Sequence, residues 1–470
     1  MTKIQKSNLP VASLSSPSTA SGHPESSIVS DARVGSAPVL MALAMVTVDT
    51  SIVNTALPVI AANFGTTAHA SIWIVSIYQL ALVATLLPFA ALGAYVGLTR
   101  VFLGGLTLFV ASSLFCSLSV SLPMLVAARL LQGLGAAGVM SVSVALMKAI
   151  SPSDRFGRAL GLSTFVVGGA FMLGPLAAWL ILSFSGWPWL FAVNVPFGGL
   201  TLFVALRVLP ALAPVAHSVD WSGAVLNVLA FGAMLLGVGE IAHDGSAYIV
   251  AGSMLLASLC GGVLVRRSMG QQAAILPVDL FAHRLFALSA ITAFLSFIAQ
   301  GLAFVSLPFL LGTKFGRGQF ELGLLMSSWP AAVAVVSPIS GRLADRCNAG
   351  LLGCAGLAAL FAGLISLAML PPDAGDLSIG MRLSICGMGF GIFLPPNLKA
   401  LMGSVPHERS GSANGVTALA RLFGQAIGAA LVALSLRVGG AQGGVLALLM
   451  GAAAVGAACG VSALRLAERN

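Results

Sequence analysis

Fourteen apolar runs of about twenty residues, joined by short polar connections, leave this chain few folds to adopt. A run of that length crosses a hydrocarbon core of about 30 Å at about 1.5 Å per residue. Inside lipid every backbone N–H and C=O must find a partner within the protein, which admits helices and closed barrels. Barrel strands would show short alternating segments, and the sequence has none. The spacing therefore predicts an all-α polytopic membrane protein with helices near 38–62, 72–95, 101–121, 124–148, 159–184, 187–208, 221–241, 247–265, 285–311, 322–344, 350–370, 378–402, 411–436 and 443–464. Composition agrees: 58% of residues are hydrophobic and 8% charged, against about 25% charged in soluble proteins.

The formal net charge of +9 raises nucleic acid as a partner. The basic residues are scattered through short loops, without runs or interleaved aromatics, so the bilayer explains them better and no nucleic acid is expected. With an even number of spans both chain ends face one side. Seventeen of the 23 Lys and Arg residues fall on that side. Lys314, Arg317 and Arg437 fall on the other, and Arg129, Arg382 and Arg421 lie in or near the membrane. The asymmetry predicts cytoplasmic termini. Trp73, Trp187, Trp189 and Trp221 begin spans, where interfacial aromatics belong. Residues 1–36, rich in Ser and Pro, read as a disordered tail without the apolar segment of a signal peptide. The cysteines Cys116, Cys260, Cys347, Cys354, Cys386 and Cys459 show no paired spacing and read as small apolar fillers.

Asp49 interrupts the first apolar run in Val48-Asp49-Thr50-Ser51-Ile52-Val53-Asn54-Thr55-Ala56-Leu57-Pro58. It lies about 16 Å into the run, near the midplane. A carboxylate there costs about 2.5–3.5 kcal/mol on insertion scales, so it should face a cavity or a partner. Such an acid can exchange protons, or it can be tied permanently to an arginine. Arg129, at the head of Arg129-Leu130-Leu131-Gln132-Gly133-Leu134-Gly135, reaches a similar depth in the fourth span. Its charge demands a carboxylate or a wet cavity; alternatively it holds backbone carbonyls as a packing element. Arg421 lies deep in the thirteenth span with no second acid in that half of the chain, and reads equally as cavity lining or as packing. Asn54, Gln132 and Gln300 are candidate cavity residues, and so are Asn194 and Asn227, although any deep amide can simply bond a neighbouring helix.

A weak internal echo suggests duplication. Pro88-Phe89-Ala90-Ala91-Leu92 and Pro338-Ile339-Ser340-Gly341-Arg342 each end the second span of a half and lead into a basic loop. The implied division is 37–209, an inserted helix pair at 210–268, 269–466, and a tail at 467–470. No phosphate-binding loop, metal pair or nucleophile elbow is present, so no enzyme is expected. Transport without an ATP site points to an ion gradient.

These motifs together resemble the fourteen-span drug:proton antiporters of the major facilitator superfamily. Asp49 to Pro58 is similar to the first-span signature of that family, Arg129 to Gly135 to its fourth-span motif, and Gly174-Pro175 to its antiporter motif. Trp187 to Gly198 and Asp220-Trp221-Ser222-Gly223 match further signatures. The resemblance covers about 38–464 and implies two six-helix bundles, plus two inserted helices, in a bacterial inner membrane. It implies proton-driven export of amphipathic, cationic compounds by a monomer without cofactor, Asp49 and Arg129 being the coupling pair. Gly97 and Arg100, Gly174 and Pro175, and Gly341, Arg342, Asp345 and Arg346 are then the gating positions. The sequence departs from the family at Ala94 and Tyr95, where the first loop motif has Asp and Arg, and at Ala177, Ala178 and Pro188. A single-metabolite exporter or importer, or a transporter-like sensor, stays open as an alternative.

Overall fold

A computed structural model describes residues 25–152, 156–214, 220–242, 245–269, 277–406 and 409–465. The main helices are α1 (Glu25–Asn63), α2 (Trp73–Val96), α3 (Leu98–Ser117), α4 (Leu122–Ile150), α5 (Phe156–Phe184), α6 (Asn194–Val208) and α7 (Trp221–Ala242). They continue as α8 (Ala247–Ser268), α9 (Arg284–Phe309), α10 (Gln319–Leu343), α11 (Ala349–Ala368), α12 (Asp376–Gly403), α13 (Ser410–Gly439) and α14 (Gly443–Leu464). Among the described residues, thirteen continuous stretches are long and apolar enough to cross a membrane. The last, Ala413–Leu464, is broken by a turn at Gly440–Gln442 into α13 and α14, which makes fourteen helices of spanning length.

Local chemistry sets the ends. The Ser121 hydroxyl accepts from the Met124 N–H to cap α4, and the Asn348 side-chain Oδ1 accepts from the Gly350 N–H to cap α11. Gly97 turns α2 into α3 with φ of +107°, and a Cβ there would lie 2.9 Å from the Leu212 carbonyl oxygen. Only glycine meets both demands cheaply. At the other end of the chain order, α1 begins at Glu25, inside the stretch expected to be a disordered tail. Each residue added to a helix already anchored by its apolar span gains a backbone hydrogen bond, so the helix extends past the span. The rest of the expected tail, 1–24, lies outside the described residues.

The helices pack as two six-helix bundles with an inserted pair. In the first bundle α1 packs on α5 and α6, and α4 on α2 and α3. In the second, α9 packs on α13 and α14, and α12 on α10 and α11. Glycines let backbones approach: a Cβ on Gly105 would sit 2.8 Å from Gly138 Cα between α3 and α4, and one on Gly301 2.9 Å from Gln425 Cα between α9 and α13. The bundles meet along α5–α10 on one side and α2–α13 on the other, with α1 against α9 between them. The α7–α8 pair sits outside the second seam, α7 touching both α2 and α13.

The α5–α10 seam is tight in one half only. Ser327 donates to the Met172 carbonyl at 3.0 Å, Trp179 meets Phe320 edge-on, and a Cβ on Gly323 would sit 2.9 Å from Pro175 O. All of these lie away from the end that carries Arg100, Lys148, Arg342 and Arg346, here termed the basic end. An apolar cluster joining Ile52, Ala56 and Ile60 of α1 to Val305 and Phe309 of α9 and Val432 of α13 closes the same far half. Towards the basic end α5 and α10 expose Leu162, Phe165, Val335 and Ile339. A cavity of about 580 Å³ lies there, lined by Ile339, Arg342, Leu343, Asp345 and Arg346.

Trp189 and Trp221 are exposed at helix starts, as interfacial residues should be. Trp187 is not: it is 5% exposed, packs on Phe64 and Phe191, and donates to the Asn63 side chain at 2.8 Å. The short helix Trp189–Ala192 folds it inward, under the connection to α6.

Candidate functional site

Asp49 sits in the interior of the first bundle, 1% exposed. Three side chains donate to it. Arg129 Nη1 lies 2.7 Å from Oδ2, while Gln132 Nε2 (3.0 Å) and Asn194 Nδ2 (2.7 Å) share Oδ1. The carboxylate of α1 is thereby held by α4 and α6.

Arg129 is as buried as its partner. It spreads its donors: Nε to the Ile74 carbonyl at 3.2 Å and Nη1 also to Gln132 Oε1 at 2.6 Å. Its planar face lies over the Tyr78 ring, 4.1 Å from the centroid, with Phe191 at 5.7 Å. Gln132 also donates to Ser113 Oγ at 2.8 Å, and the Cys116 thiol faces its Oε1. Helix spacing explains the arrangement. Arg129 and Gln132 are three residues apart, on one face of α4, so both reach the same point on α1. Both carboxylate oxygens of Asp49 and both side-chain polar atoms of Gln132 have partners, as burial in a low-dielectric interior requires, whereas the Tyr78 hydroxyl has none among the described residues.

Of the two alternatives the sequence left for Asp49, a cavity or a partner, the structure shows partners. Gln132, expected as a cavity residue, is instead fully enclosed with both its side-chain polar atoms bonded inside the bundle. Asn194, previously one deep amide among several, is a direct partner of the carboxylate. The signal lay within Trp187 to Gly198.

The remaining candidates separate into distinct places. Asn54 lies one turn further along α1, buried, with its Oδ1 lacking a partner. Asn227 on α7 is likewise buried with neither side-chain atom partnered. Gln300 accepts from Gln425 Nε2 at 2.8 Å across the α9–α13 contact. Arg421 lies one turn from Gln425 on α13. Gly174 faces Ser51, where any Cβ would overlap the Ser51 side chain, and Ser51 Oγ donates to the Phe171 carbonyl at 3.0 Å. Pro175 lies beside it and exposes its carbonyl to Gly323 of α10. These two residues therefore fix how closely α5 approaches both α1 and α10.

At the basic end Arg100 donates weakly to Val96 of the preceding helix. Asp345, expected to work with Arg342 and Arg346, instead pairs with Lys399 Nζ of α12 at 2.6 Å. Lys399 also donates to the Ala344 carbonyl. The bond from Lys399 to the Asp345 carboxylate, with the charge of the ammonium, holds that carboxyl below the usual carboxylate range. Gly341, Arg342 and Arg346 follow or flank this pair, with both arginines lining the cavity described above. The Lys399 partnership has no sequence signal, since it joins α12 to the loop that follows α10 and depends on the phase of α12 alone. A second tie at this end joins Arg409, just before α13, to Asp279, before α9, at 2.7 Å.

Comparison with known proteins places this architecture. The sequence is 43% identical over 433 residues to the uncharacterized transporter YebQ of Escherichia coli, covering 92% of this chain and 94% of that one. It is 33% identical over 399 residues to the multidrug resistance protein Stp of Mycobacterium tuberculosis, covering 83% and 73%. It is 29% identical over 388 residues to the riboflavin transporter RibZ of Clostridioides difficile, covering 82% and 84%. Among solved structures, a POT family transporter crystallised with a thioalcohol-conjugated peptide superposes with a TM-score of 0.69 at 15% identity, covering 93% of this chain and 95% of that one. That likeness concerns the fold. The family profile described as Major Facilitator Superfamily matches residues 39–429, and with it the chain belongs to that superfamily as an integral membrane transporter.

Proposed function

We propose that the protein exports amphipathic organic compounds across the bacterial inner membrane in exchange for protons, with both termini in the cytoplasm. The observation that carries the reading is Asp49: a buried carboxylate held by donors from two other helices of its bundle. Protonation would remove the charge that draws Arg129, Gln132 and Asn194 inward. Arg129 has somewhere to stay, because the Ile74 carbonyl, Gln132 Oε1 and the Tyr78 ring hold it independently of Asp49. Proton uptake therefore loosens α1 from α4 and α6 without leaving a bare cation, which is what a two-state coupling element needs. The seam closed at the far end and exposed at the basic end supports a state open to the cytoplasm. The binding space would lie between the bundles, with alternating access by rocking.

The test is compound-triggered proton movement in inverted vesicles, wild type against Asp49→Asn, over a panel of cationic, neutral and anionic amphiphiles. Release in wild type and none in the variant supports the reading; equal release in both makes Asp49 structural. The riboflavin transporter among the relatives supports a second reading, a carrier of one metabolite. It predicts silence across the panel and transport of a single compound.

A further inference from the structure

Three ionised side chains lie deep in the described spans: Asp49, Arg129 and Arg421. Asp49 and Arg129 neutralise each other at 2.7 Å. Arg382 lies near an end of α12, where it donates to Ser378. Arg421 is left over. Among the described residues it has no hydrogen bond, ion pair or aromatic contact, although a guanidinium carries five N–H donors. It is partly exposed by surface area. Its neighbours on α13 pack against α9 and against the first bundle, which sets it on an inward face of the helix and not on the outer one.

The surroundings define its position. One turn along α13, Gln425 bonds Gln300 of α9. A Cβ on Gly424, between them, would sit 2.8 Å from the Phe294 carbonyl oxygen and 3.0 Å from Phe297 Cβ, so α9 lies close to this face of α13. Leu419, Leu422 and Ala426 face the first bundle, in the cluster with Tyr78 and Val39. Arg421 therefore projects where α13 meets both α9 and the first bundle, on the basic-end side of the Gln300–Gln425 bridge. An unpaired cation in such a place is costly, and an anion is the partner that offsets the cost.

We infer that Arg421 is the anion subsite of the transport pathway, and that the compound carried is an amphipathic organic acid bearing a carboxylate or comparable monoanion. The inference rests on the transport reading above and replaces its expected cation. With Asp49 closed in its donor cage, the pathway offers a cationic substrate no free carboxylate among the described residues. It offers an anion the unpaired guanidinium of Arg421, deep in α13 beside the apolar surface of α9. Charge movement follows as well. Exchanging one proton inward for one monoanion outward carries two positive charges inward per cycle, so an inside-negative potential drives both legs; exchange for a monocation would carry none.

The experiment uses the full-length protein purified in detergent and a matched aromatic series: naphthylacetate, naphthylacetamide and naphthylmethylammonium. Binding is read by ligand-induced thermal shift in wild type, Arg421→Gln and Arg421→Lys. The expected result is that wild type binds the carboxylate about ten- to a hundredfold more tightly than the amide. Arg421→Gln abolishes that preference, and Arg421→Lys retains part of it. In proteoliposomes, an imposed inside-negative potential should accelerate naphthylacetate export. If no member with a carboxylate binds, if the ammonium compound binds best, or if Arg421→Gln leaves the carboxylate preference intact, the inference is wrong. Should Arg421→Gln not fold, the lysine variant and the wild-type rank order decide alone. Asp49→Asn tested on the same series separates the two ideas. Lost proton coupling with cations preferred overturns the anion subsite alone, whereas Arg421-dependent anion binding with intact coupling in Asp49→Asn overturns the role of Asp49 alone.

Discussion

Removing Arg129 while keeping Asp49 should damage the fold more than removing both charges. The two side chains are each about 1% exposed and 2.7 Å apart. Breaking a buried ion pair from one side leaves an uncompensated charge and costs about 3–5 kcal/mol. Arg129→Leu leaves Asp49 with Gln132 and Asn194, neutral donors that cannot cancel the charge. Asp49→Asn is milder, because Arg129 keeps the Ile74 carbonyl, Gln132 Oε1 and the Tyr78 ring. The double variant Asp49→Asn/Arg129→Leu removes both charges and should recover much of the loss. An unfolding entropy of about 2.1 cal/mol/K per residue, applied to 470 residues, makes each kcal/mol worth about 1 °C when the chain melts as a unit. Arg129→Leu should therefore lower the melting temperature by about 3–5 °C. The assay is a full double-mutant cycle on purified protein in one detergent at constant pH. Strong positive coupling is expected; losses that simply add would refute the claim that the two charges act as a unit.

Gly174→Ala should press α1 and α5 apart, because the new Cβ meets the Ser51 side chain, and overpacking of this kind costs about 1–3 kcal/mol. Gly174→Val should be worse, and melting temperature with proton release measured together would expose the reasoning as wrong if the alanine variant matched wild type in both. At the basic end, the Asp345–Lys399 bond lowers the carboxyl's ionisation range, so its contribution is complete above about pH 4 and fades as pH falls through the still lower folded value. Lys399→Met should speed alkylation of the neighbouring exposed Cys347 a few-fold at most, as befits an exposed pair. The ratio of variant to wild-type rates should hold steady from about pH 5.5 to 8, and a ratio that changes across that window would show another group in control.

The sequence made the helices legible because lipid leaves the backbone one local solution, and it made Asp49 and Arg129 legible because a charge in an apolar run demands an explanation. What it hid was phase. Gln132 and Asn194 could each have faced a cavity, a neighbour or lipid, and only the rotation of α4 and α6 brings both to one carboxylate oxygen. Lys399 was hidden for the same reason, as its carboxylate partner belongs to the loop beyond a different helix. Trp187 misled because an aromatic at the start of a span belongs equally to an interface and to a fold-back, and the Asn63 side chain decided between them. Arg421 was ambiguous in sequence since an unpaired side chain is recognised only once every neighbour is known.

The inserted pair α7–α8 gives the molecule a front and a back. Because α7 lies across both α2 and α13, the two bundles are bridged on that side by protein. Among the described residues no further helix covers the α5–α10 side. The approximate two-fold equivalence of the seams is thereby broken: one seam is backed by a third layer of helix, and the other presents the exposed side chains of Phe165 and Val335 towards the basic end.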